Sequence, residues 1–118
     1  RVSAVDRVED AAIGHGALAQ FAEAGVVPAL ERLARGTYPQ RGTADFYGHT
    51  LVLDGRLDAM VDPALKPWDL CAVVPLVEEA GGRYSDFTGA RTIYGGGCLT
   101  SNGRVHDGTL ALIRGQAP

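Results

Sequence analysis

The stretch from Pro67 to Gly82 constrains the fold of this chain more than any other. Pro67-Trp68-Asp69 opens it, apolar residues recur at 70, 73, 74, 76 and 77, and Gly81-Gly82 closes it. That spacing predicts a helix from Trp68 with one buried face. The double glycine supplies the left-handed turn by which helices commonly stop. Asp69 falls in the first turn, where unpaired N–H groups and the positive end of the helix dipole favour a negative charge. An aspartate so placed is either a plain helix cap or a ligand for a hard cation at a sheet edge.

The rest of the chain alternates between short extended runs and helices, without a long linker, repeat or low-complexity tract. Arg1 to Val5 reads as an edge of sheet, and Ala11 to Gly16 as a strand or a short helix. Ala24 to Gly36 reads as a helix with Pro28 in its first turns, Leu30, Leu33 and Ala34 on one face and Gly36 as its stop. A strand from Tyr38 to Gly42 follows, then a helix over Asp45 to Asp54 carried by Phe46, Leu51 and Leu53 and capped by Gly55. Leu57 to Val61, Arg83 to Ser85 and Cys98 to Ser101 complete the strands, and His106 to Ile113 the helices. The order predicts one layered α/β domain over residues 1–118.

Composition restricts the function classes. With 46% hydrophobic and 21% charged residues the 118-residue chain can build its own core, and disorder is not expected. A net charge of −3 and the lack of a basic run interleaved with aromatics give no reason to expect a nucleic-acid partner. Apolar stretches end well short of a membrane span and no signal-peptide pattern is seen, which points to the cytoplasm. Cys71 and Cys98 are too few and too far apart for a zinc site, and Cys71 falls on the expected buried helix face. His15, His49 and His106 lack metal-ligand spacing, and nothing singles out a Ser-His-Asp triad. Gly95-Gly96-Gly97 is not followed by Lys and Ser or Thr, so it reads as a flexible turn before a strand and not as a phosphate-binding loop.

In open α/β sheets ligands sit beyond strand ends, where loops lead into helices. Two such loops carry carboxylates here. Gly42-Thr43-Ala44-Asp45 joins a strand to its helix, and Asp62-Pro63-Ala64-Leu65-Lys66-Pro67 leads to Trp68-Asp69. The two prolines restrict the second loop so that Asp62 and Asp69 can face one cleft. Asp45 as an N-cap and Asp62 as a turn residue are the plainer alternatives.

Trp68-Asp69, Ala72, Glu79-Ala80-Gly81-Gly82 and Asp86-Phe87-Thr88-Gly89, taken together, resemble the C-terminal signature of the inositol monophosphatase family. The resemblance runs from Arg1-Val2-Ser3 through Ser101-Asn102-Gly103. It implies a Mg²⁺-dependent phosphomonoesterase acting on a small-molecule phosphate monoester, commonly a homodimer, and the C-terminal α/β domain of that fold. By the same resemblance Asp69 is the second-metal ligand and a catalytic residue, and Gly42, Thr43, Ala44 and Asp62 contact the substrate alcohol.

The N-terminal half of the family pattern has a Glu-Glu pair, an Asp-Pro-x-Asp-Gly segment and a threonine, none of which occurs here. Glu78-Glu79 is no substitute, since roughly ten residues of helix put it about 15 Å from Asp69. The 118 residues therefore read as the C-terminal part of a larger enzyme, inactive in isolation. Ala44-Asp45-Phe46-Tyr47, continued by His49 and Leu51-Val52, is similar to the histidinol-phosphatase branch, with Ala44 where that branch has glycine and Asp62 where many relatives have glutamate. Histidinol phosphate carries an ammonium and an imidazole that Asp45 and Asp62 would pair with. Inositol phosphate or another sugar phosphate is the second substrate reading, and an inactive binding or assembly module the alternative of another class.

Overall fold

The computed structural model describes residues 1–42 and 45–116, with Asp45 placed by its backbone alone. Among the described residues five strands form one sheet: β1 (Ile13–His15), β2 (Gln40–Gly42), β3 (Ala59–Asp62), β4 (Arg83–Ser85) and β5 (Cys98–Ser101). Their order is β2-β1-β3-β5-β4. The first three run parallel, and β5 pairs antiparallel with both β3 and β4. The helices are α1 (Leu18–Glu23), α2 (Val27–Gly36), α3 (Asp45–Leu53), α4 (Pro67–Glu79) and α5 (His106–Arg114).

Strand periodicity divides the core. Every residue of β3 and β5 is buried, so alternate side chains enter two separate apolar layers. Ala59, Val61 and Leu99 pack with Phe21 of α1, Leu33 of α2 and Leu110 and Ile113 of α5. On the opposite face Met60 meets Val52 of α3, and Cys98 meets Leu70 and Val74 of α4. The result is a three-layer α/β/α sandwich, in which each fully buried Val, Leu, Ile or Phe contributes about 1.5–3 kcal/mol.

Several elements differ from the sequence reading. Arg1 to Val5 is not a strand: Ser3 Oγ donates to Asp58 at 2.5 Å, and Asn102 Nδ2 donates to Ser3 Oγ at 2.9 Å and to Val5 O at 2.7 Å, so side chains hold the segment against the sheet's end. Ala11 to Gly16 resolves into β1. The helix expected from Ala24 starts at Val27, because Gly25 at φ +73° breaks the chain after the unforeseen α1. On α2 the buried residues are Ala29 and Leu33, whereas Ala34 is exposed. In α3 the buried side is Gly48, His49 and Val52, and Phe46 is 41% exposed.

The helix from Trp68 is α4, with Pro67 in its first turn and Leu70, Val73, Val74 and Val77 buried. Leu76 and Cys71 point outward, contrary to expectation for both. The two closing glycines differ in purpose. Gly81, at φ +93°, is the left-handed residue, whereas Gly82 is needed because a Cβ there would collide with the backbone oxygen of Ser101. The 95–97 turn is likewise shaped by close approach: side chains at Gly95 and Gly97 would strike Asp86 and Phe87. Asp86 gathers Thr88 N, Thr88 Oγ1 and Ala90 N on one carboxylate oxygen, so the Asp86-Phe87-Thr88-Gly89 segment is a structural turn.

Candidate functional site

Because β1, β2 and β3 are parallel, their C-terminal ends at His15, Gly42 and Asp62 share one edge of the sheet. The chain leaves β1 toward the α1–α2 face and leaves β3 toward the α3–α4 face. Adjacent parallel strands whose connections part to opposite faces open a crevice between them. A cleft of about 160 Å³ lies there, lined by Gln20 of α1, Phe46 and His49 of α3, Ala64 and Leu65 of the β3–α4 loop, and Asp69.

Asp69 is the third residue of α4, and its Oδ2 accepts the backbone N–H of Lys66 at 3.1 Å. That bond fixes the carboxylate at the cleft mouth. Oδ1 has no protein hydrogen bond among the described residues, so one hard oxygen remains for a cation. The donor set fits one protein ligand of a Mg²⁺ ion and no more: among the described residues no group of three or more His, Cys, Asp or Glu can hold a metal.

Asp62 occupies a different position from the one its loop suggested. It ends β3 fully buried, one carboxylate oxygen accepting Ala64 N at 3.3 Å. A Cβ built on Gly16 would lie 3.3 Å from Asp62 Oδ1 and from Gln20 Oε1 alike, so both side chains close over the bare Gly16 at the end of β1. Asp62 and Gln20 thus meet at Gly16, while Asp69 lines the cleft itself. Gly42 ends β2 and is exposed; Thr43 and Ala44 lie outside the described residues, as does the side chain of Asp45.

Two residues that spacing did not single out share the cleft with Asp69. His49 is 1% exposed, its Nδ1 lies 2.7 Å from Thr100 Oγ1 on β5, and burial holds its pKa down to about 4, so the ring is neutral at neutral pH. Its Nε2 and Gln20 Oε1 are buried without a hydrogen-bond partner among the described residues. The signal for His49 was its place one helical turn after Asp45; Gln20 had none, because α1 itself was not foreseen. The remaining candidates are structural. His15 turns Nδ1 to Gly16 O at 2.9 Å and packs edge-on to Phe21. The Cys98 thiol is pushed up by burial and then by the nearby Asp62, which leaves it inert as a nucleophile. His106 is enclosed by Ser85 and Ser101. Among the described residues no helix is long and apolar enough to cross a membrane.

Known proteins resemble this chain in both sequence and architecture. The model of the inositol monophosphatase family matches residues 19–117. A histidinol-phosphatase of Streptomyces coelicolor is 31% identical over 112 residues, covering 95% of this chain and 42% of that protein. One from Chlorobaculum parvum is 43% identical over 74 residues, 62% of this chain and 29% of that protein. The solved inositol monophosphatase from Anabaena superposes over 100% of this chain and 48% of its own, with a TM-score of 0.86 at 24% identity. The chain thus spans less than half the length of each of these proteins. With the family model matching most of the sequence and Asp69 held at the switch point of the sheet, the chain belongs to the inositol monophosphatase family.

Proposed function

We propose that this chain is part of a Mg²⁺-dependent phosphomonoesterase that hydrolyses histidinol phosphate to histidinol and phosphate. The observation that carries the reading is Asp69, whose one uncommitted carboxylate oxygen lies at the mouth of a cleft formed by the β1 and β3 connections. Asp69 would hold the ion. Mg²⁺ bound there supplies Lewis-acid stabilisation of negative charge on phosphate and leaving oxygens. The chain's own contribution is to place that carboxylate: Lys66 N–H fixes its rotamer, and the buried Leu70 and Val74 anchor the helix that carries it.

The leaving alcohol is assigned to Gly42, Thr43, Ala44, Asp45 and Asp62. As read from the sequence, the carboxylates of Asp45 and Asp62 would suit a substrate with cationic nitrogen better than a neutral polyol, because a second negative charge gains little from hydroxyls. The relatives named histidinol-phosphatase support the same substrate. The test is Mg²⁺-dependent phosphate release by the full gene product from histidinol phosphate and inositol phosphate side by side. Preference for the first is expected. Preference for the second would keep Asp69 and overturn the substrate, and no Mg²⁺-dependent release from either would favour a binding or assembly module. Asp45→Asn should raise KM for histidinol phosphate more than for inositol phosphate; equal effects on both would remove Asp45 from recognition of the cation.

A further inference from the structure

Two buried polar atoms are left over in the cleft, and their chemistry is complementary. Thr100 is fully buried, and the partner of its hydroxyl is His49 Nδ1 at 2.7 Å. If that hydroxyl accepted from Nδ1, its own proton would be stranded in the interior; by donating, it uses the proton. Nδ1 is therefore the acceptor and Nε2 carries the ring hydrogen. With Nδ1 turned toward β5, the Nε2 edge is the one left to the cleft that His49 lines. A buried N–H and the buried Gln20 Oε1 thus stand without partners on the walls of one cavity, beside the aromatic ring of Phe46.

A buried donor or acceptor with nothing to bond costs free energy, and such groups in a cleft are explained most simply by the ligand that satisfies them. An ammonium can serve only Gln20, and an alkyl group serves neither. A group that both accepts and donates serves the two together: a hydroxyl, or a neutral imidazole with one bare and one protonated nitrogen. We infer that His49 and Gln20 are specificity-determining residues, which receive an amphoteric group of the leaving alcohol, His49 Nε2–H donating to it and Gln20 Oε1 accepting from it. This rests on the phosphomonoesterase reading above. It adds that the alcohol is selected by neutral hydrogen bonding within the cleft, apart from the carboxylates Asp45 and Asp62.

The variants separate this role from support of the fold. Asn at 49 places an oxygen near the Nδ1 position and keeps the Thr100 bond while removing Nε2, whereas Gln reaches the Nε2 position. In the full gene product, kcat/KM is measured for whichever of histidinol phosphate and inositol phosphate the wild type prefers, and for phenyl phosphate, whose alcohol has no such group. The ratio of the two should fall about ten-fold in His49→Asn and in Gln20→Leu and recover in His49→Gln. Calorimetric binding of the free product alcohol should weaken by a similar factor, a loss that support of the fold alone would not produce in a folded variant. Gln20→Leu, on the partly exposed α1, gives an independent arm should position 49 not tolerate change. An unchanged ratio in both folded variants would overturn the inference whichever ester is preferred, while a wild-type preference for inositol phosphate overturns only the substrate named above.

Discussion

Acidification should unfold this domain through two histidines that are buried without charge. His106, fully buried at the start of α5, lies between Ser85 Oγ at 2.8 Å from Nε2 and Ser101 Oγ at 2.7 Å from Nδ1. Ser85 spends its proton on Asp86 O, so His106 Nε2–H must donate to Ser85, and Ser101 must donate to Nδ1 while accepting Gly103 N–H. A second ring proton would point at the Ser101 hydroxyl hydrogen. Burial, with Arg83 adding and Asp107 opposing, holds the pKa down to about 4 from the ordinary 6.5; burial alone does the same for His49.

The sign follows from proton counts. Between about pH 6.5 and 4 the unfolded chain binds protons that the folded chain refuses, so stability is fully present above 6.5 and lost as pH falls toward 4. Each histidine removes about 3 kcal/mol over the whole window and about 2 kcal/mol by pH 5, a large part of a typical net stability. Urea unfolding at about pH 7.5 and pH 5 measures it. His106→Gln, which cannot take up a proton, should be less stable at the higher pH yet lose about 2 kcal/mol less on acidification. An acid loss identical in wild type and in His106→Gln would refute the argument.

Other expectations rest on single contacts. Asp69→Asn keeps an acceptor for Lys66 N–H and should cost a few tenths of a kcal/mol, with Asp69→Ala costing about 1 kcal/mol; both should lose most turnover in the full gene product, and unchanged Mg²⁺ dependence would remove Asp69 from the mechanism. Gly82→Ala should destabilise by about 2–4 kcal/mol, because the strand pairing at Ser101 must shift. Gly81→Ala, with room for the methyl group but φ at +93°, should cost about 1–2 kcal/mol, so thermal midpoints in the reverse order would contradict the separation of the two glycines. Gly16→Ala should displace Gln20 and raise KM for the preferred ester with less than about 1 kcal/mol of stability change; an unaltered KM would count against contact between that strand end and the cleft.

Local rules determined much of this chain. The proline, the apolar spacing and the glycine pair around Asp69 define α4 because 3.6-residue periodicity and capping are properties of a single helix. The spans of β4 and β5 matched as well, each being a short run that begins directly after a glycine, at Gly82 and Gly97. The family signature was also legible, since its residues lie close together in sequence. Tertiary structure decided the rest. Cys71 adjoins the apolar stripe of α4, and only the packing on β4 and β5 turned it outward. Arg1 to Val5 had the composition of an edge strand, but Asp58 and Asn102 claimed it with side-chain hydrogen bonds across 55 and 97 or more residues. Gly82 shows its reason only beside Ser101. Asp62 met Gln20 over Gly16, and His49 met Gln20 in one cleft, because the strand order β2-β1-β3-β5-β4 brings together loops that are distant in the chain. Periodicity reports which face of an element is apolar, but strand order and the direction of each connection determine which faces meet, and the candidate site is built at such a meeting.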